Sequence, residues 1–133
     1  MLENRYARWY SRVVWLGIAV NLIFVIGSFV FPRGFLEILH IPVPPTIWVR
    51  TGGLLLCIIS IFYIPGAIDP MRYRWTAIFA IFPSRAFGST FFMTEVLAFG
   101  WPMGCLSIAL VDLTFGLIEA VLLYKAFRLE PTA

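Results

Sequence analysis

Residues 13–31 read VVWLGIAVNLIFVIGSFVF, 19 consecutive positions without a charge. At about 1.5 Å of rise per residue, such a helix nearly matches a hydrocarbon core roughly 30 Å thick. Immediately before it, Arg5, Arg8 and Arg12 alternate with Tyr6, Trp9 and Tyr10, a basic and aromatic collar of the kind found at a membrane surface. Immediately after it come Phe31-Pro32-Arg33-Gly34. A secretory signal has a shorter apolar region and a small-residue cleavage site, so the run is expected to be a retained first span.

The rest of the chain repeats this pattern. Of its 133 residues, 61% are hydrophobic and 13% charged, with a mean hydropathy of +0.91. Soluble domains carry about half apolar and a quarter charged residues, and a soluble fold of this composition would expose large apolar patches. Lipid removes that conflict. Further spans are expected at 47–64, stopped by Pro65-Gly66, at 75–96, kinked by Pro83, and at 103–124. Thr46 stands where a threonine caps a first turn. Pro32, Pro42, Pro44 and Pro45 make 32–46 the longest loop, within which the apolar segment 34–41 suits a short interfacial helix. The chain thus reads as a single transmembrane domain, 1–133, an all-α antiparallel bundle of four membrane helices.

Arg5, Arg8, Arg12, Arg72, Arg74, Lys125 and Arg128 fall on the side of the termini, against Arg33 and Arg50 opposite. The positive-inside rule then places both termini in the cytoplasm. The net charge of +3 is spread beside hydrophobic runs rather than along a stripe, which excludes nucleic acid as a partner.

A charge in the bilayer core costs about 2.5 to 3.5 kcal/mol on insertion scales, so charges that persist there face protein or a wet cavity. Arg50 and Glu95 lie at matching depths near the outer ends of the second and third spans, which makes an ion pair geometrically possible. Arg85 and Asp112 both lie near the midplane. Glu119 follows Asp112 by seven residues and so shares its helix face, and Asn21 is also deep. One reading makes Arg85–Asp112 and Arg50–Glu95 interhelical ion pairs that fix register. Another makes Arg85, Asp112, Glu119 and Asn21 the lining of a polar cavity for a small ligand or protons. A third places some of them against a partner subunit. No cation stands clearly at the depth of Glu119, toward which Lys125 could snorkel. The spacing Ala80, Ser84, Gly88 offers a close-packing face.

No catalytic, metal or cofactor set emerges. Cys57 and Cys105 lie in separate apolar segments without CxxC spacing and read as packed thiols. The single histidine, His40, lies in a loop, which excludes a haem held by two histidines of this chain. The phenylalanines read as packing or lipid contact.

Trp48-Val49-Arg50-Thr51-Gly52-Gly53-Leu54, Phe62-Tyr63, Ala67, Asp69-Pro70 with Tyr73, and Ser84-Arg85 resemble the small four-helix bacterial membrane proteins of the DoxX-like and related uncharacterised families. The resemblance covers about residues 10–125 and matches Arg50, Gly52 and Arg85. It implies the bacterial inner membrane and an accessory role in a membrane redox assembly, while no residue here supplies a redox centre. The expected function is a non-catalytic accessory subunit or assembly factor of a larger membrane complex, working with other subunits or as a homo-oligomer in the lipid bilayer. The alternative is a small carrier or ligand-binding protein that uses the midplane charges.

Overall fold

A computed structural model describes residues 4–42 and 45–129. Pro44, one of the loop prolines, lies outside the described residues. Those described are helical, with no strand among them: α1 (Arg5–Val30), α2 (Pro32–Ile38), α3 (Thr46–Ile68), α4 (Arg74–Phe79), a wide turn over Ala80–Arg85, α5 (Ala86–Phe99) and α6 (Cys105–Arg128). Three of these, α1, α3 and α6, are long and apolar enough to cross a membrane, with mean hydropathies of 2.4, 2.0 and 2.1 over their most apolar stretches. The remaining stretch, from Arg74 to Phe99, is interrupted.

The interruption has a local cause. Proline crowds the residue before it and drives that residue out of the helical region. Phe82, which precedes Pro83, is accordingly extended, at φ −132° and ψ 119°. The kink expected at Pro83 is therefore a full break between helices, and it redirects the chain. Before the break α4 packs on α3, and after it α5 packs on α6. Ala80, Ser84 and Gly88 do not form one continuous face as a result. Ala80 joins the core with Ala67 and Ala77, whereas Gly88 faces Asp112 of α6.

Pro65-Gly66 does not end the second span, contrary to the sequence expectation; α3 continues to Ile68. Packing holds it there. Gly66 lies so near the backbone of α4 that a methyl group on it would meet Ala77 N at 2.9 Å. Ser11 Oγ of α1 donates to the carbonyl of Ala67, and the Tyr10 hydroxyl donates to Ala77 O at 2.9 Å. The actual stop is Asp69, whose Oδ1 accepts the backbone N–H groups of Met71 and Arg72, each at 3.1 Å. Thr46 is the first residue of α3 and caps nothing; Pro45 precedes it without a side-chain cap. The helix expected over 34–41 is α2, with Pro32 in its first turn. It folds back on α1, where the rings of Phe24 and Phe35 meet edge to face at 5.4 Å.

α1 sits between α3 and α6. Asn4 caps α1 by accepting the N–H of Tyr6 at 2.9 Å, and its Nδ2 donates to Ala126 O at 2.7 Å. The start of α1 and the end of α6 thus share one end of the bundle. That end also carries a ring of cation–aromatic contacts: Arg12 over Trp9, Arg72 over Tyr73, Lys125 over Tyr6 and Arg128 over Tyr124, at 5.1 to 5.4 Å.

Candidate functional site: a buried charge cluster

Asp112, Phe115, Gly116 and Glu119 stand at positions i, i+3, i+4 and i+7 of α6 and so project from one face. Arg85 reaches that face from the end of the wide turn. Its Nη1 donates to Asp112 Oδ1 at 2.8 Å, while Nη2 lies 3.7 Å from Glu119 Oε1, within ion-pair reach but beyond hydrogen-bond length. One guanidinium therefore bridges two carboxylates separated by two helical turns, about 10 Å along the axis. Its flat faces are covered by Phe115 and Tyr63, whose ring centres lie 5.1 and 5.3 Å from the guanidinium carbon.

Three glycines make room for the cluster. A methyl group on Gly17 of α1 would meet Arg85 Nη2 at 2.6 Å, one on Gly116 would meet Arg85 Cβ at 3.0 Å, and one on Gly88 of α5 would overlap Asp112 Oδ2. The enclosure is close to complete for two of the three charged groups. Arg85 is 2% exposed and Glu119 0%, whereas the side chain of Asp112 keeps 24% of its surface open. Four buried polar atoms, Arg85 Nε and Nη2 and both carboxylate oxygens of Glu119, have no hydrogen-bond partner among the described residues. The neighbouring phenols are engaged elsewhere: Tyr10 with Ala77, and Tyr63 with Ser84 Oγ at 2.5 Å.

The other polar residues singled out in the sequence lie apart from this cluster. Asn21 is buried on α1 and donates to Ser60 Oγ of α3 at 3.1 Å; it ties those two helices together. Arg50 and Glu95 form no ion pair. Arg50 is exposed on α3, and the break at Phe82 carries α5, and Glu95 with it, onto α6. Lys125 lies over the Tyr6 ring rather than beside Glu119. Glu119 has its cation after all, in Arg85, whose length spans the depth between the two groups.

Gly17, Gly116, Tyr63 and Phe115 were not marked as site residues in the sequence. The spacing of Phe115 and Gly116 between the two carboxylates was the available signal. Cys57 and Cys105 are free thiols, and His40 is exposed at the end of α2. No group of three or more histidine, cysteine, aspartate or glutamate side chains suited to a metal occurs among the described residues. A separate apolar cavity of about 400 Å³ opens at the helix break, lined by Ile59, Phe62, Tyr63, Phe79, Pro83 and Ser84 among others. It meets the charge cluster through Tyr63, which lines the one and covers the other. No family model, curated protein or solved structure matches the chain.

Proposed function

We propose that this chain is a non-catalytic accessory subunit or assembly factor of a larger membrane complex. In this reading the interrupted stretch Arg74–Phe99 crosses the bilayer as a fourth span. The end bearing Asn4 and Ala126 faces the cytoplasm of a bacterial inner membrane, in keeping with the concentration of arginine and lysine there. The likeness to the DoxX-like families would make the complex a redox assembly. The observation that carries the proposal is the enclosure of Arg85 and Glu119 inside the chain's own helices. Buried charges held this way fix helix register where lipid gives little hydrophobic force between helices. What the protein presents outward is apolar: Phe87, Phe91, Leu97 and Phe99 on α5 are each at least half exposed.

Mild detergent extraction, sizing and mass spectrometry of the native assembly test the proposal. A stoichiometric complex with other membrane subunits is the expected result. A homodimer that carries a bound small molecule would replace it with the second reading, a small carrier or ligand-binding protein. The cavity at the helix break favours that second reading, because it reaches Tyr63 and Ser84 next to the midplane charges.

A further inference from the structure

Ion pairing alone does not settle the charge of the Arg85 cluster. One guanidinium faces two carboxylates, so the group as built holds one negative charge in excess. Every element packed around Glu119 contributes to this count: α1 brings Tyr10 and Gly17, α3 brings Tyr63, the wide turn brings Arg85, and α6 itself brings Asp112. None of the flanking groups adds a second cation, and Lys125 is held over Tyr6. The two phenols add no hydrogen bond to Glu119, since Tyr10 donates to Ala77 O and Tyr63 is joined to Ser84.

The excess is localised. Asp112 accepts a short hydrogen bond from Arg85 and keeps an exposed edge. Glu119 is fully buried, and neither of its oxygens accepts a hydrogen bond. An ionised carboxylate without hydrogen bonds in an apolar interior is among the most costly groups a fold can contain. Arg85 Nη2, at 3.7 Å, approaches it without bonding to it. The same guanidinium cannot neutralise both carboxylates.

We infer that Glu119 is the binding site for one further positive charge, a proton, held at its carboxylate opposite Arg85. A proton needs no added space and makes Glu119 a neutral acid that can serve as a donor. This inference stands apart from the accessory-subunit reading, because the charge balance of the cluster is the same in a passive subunit and in a carrier.

Infrared spectroscopy of the purified full-length protein in lipid at neutral pH tests it. The expected result is the carbonyl stretch of a protonated carboxylic acid, shifted slowly after transfer to D2O as befits a sealed group, lost in Glu119→Gln, and lost also in Asp112→Asn, where Arg85 and an ionised Glu119 balance. Absence of the band, or its survival in Glu119→Gln, overturns the inference. Should Glu119→Gln fail to fold, a slowly exchanging wild-type band that moves on side-chain carboxyl 13C labelling of glutamate, and not of aspartate, still assigns the proton to Glu119.

Discussion

Gly17 on α1 lies directly against the tip of Arg85: a methyl group at this glycine would stand 2.6 Å from Nη2. The first helix therefore forms one wall of a socket whose contents come from the third and fourth long stretches of the chain. Gly17→Ala forces Arg85 to shift or α1 to back away. Its helix propensity gain, up to about 1 kcal/mol, opposes a packing penalty of about 1 to 3 kcal/mol, so a net loss of stability is expected. Gly17→Leu should lose more. Gly52→Ala, at a position with nothing within 4 Å, should lose nothing and serves as the control. Reversible unfolding in mixed micelles measures all three.

The three charged groups should respond unequally to removal. Arg85→Met leaves Asp112 and Glu119 without their cation and should cost about 3 to 5 kcal/mol. Asp112→Asn leaves Arg85 balanced by Glu119 and should cost about 1 to 3 kcal/mol for the weakened hydrogen bond. Arg85→Met in an Asp112→Asn, Glu119→Gln background should recover much of the loss, and a mutant cycle in which the effects simply add would show that the groups are uncoupled.

Much of this was legible in the sequence, for identifiable reasons. Charge-free runs locate helices because the bilayer core excludes charge, and the seven-residue interval puts Asp112 and Glu119 on one face because helix geometry fixes it. Depth, read by counting residues, brought Arg85 and Asp112 to one level. The same count matched Arg50 to Glu95, where the structure forms no pair. Depth does not say which way a side chain points around a helix that is apolar nearly all round, nor which helices are neighbours. That is decided at Phe82-Pro83, where the chain leaves α3 for α6. The persistence of α3 through Pro65-Gly66 was also beyond local reading, since it depends on contacts with Ala77 and Ser11 made from distant parts of the chain.

Tyr10 and Ser11 close the end of the bundle where Asn4 meets Ala126 by donating to carbonyls of α4 and α3. Tyr10→Phe and Ser11→Ala should each cost about 0.5 to 1.5 kcal/mol. The hydroxyls serve different carbonyls, so the double variant should approach the sum. Hydrogen exchange should rise first in the turn around Asp69–Arg72, where α3 passes into α4.

Orientation is open to a direct measurement. With Cys57 and Cys105 replaced by alanine, a single cysteine at Tyr73 should react with an impermeant thiol reagent only from the cytoplasmic side, and one at Glu37 only from the opposite side. Labelling of both positions from one side would remove the four-span arrangement, because an odd number of crossings between residues 37 and 73 would no longer hold.

The bridge from Arg85 to α6 also sets an order of events during synthesis. Arg85 leaves the ribosome 27 residues ahead of Asp112, and the carboxylate of Glu119 follows later still. Until then the third stretch carries a bare guanidinium that the membrane interior disfavours, and the socket beside Gly17 has no occupant. In the proposed four-span arrangement, insertion of residues 74–99 is completed together with α6 as a pair, with the first helix waiting for the last. A nascent chain arrested before Asp112 should leave residue 85 accessible to an aqueous reagent, and release to full length should withdraw it.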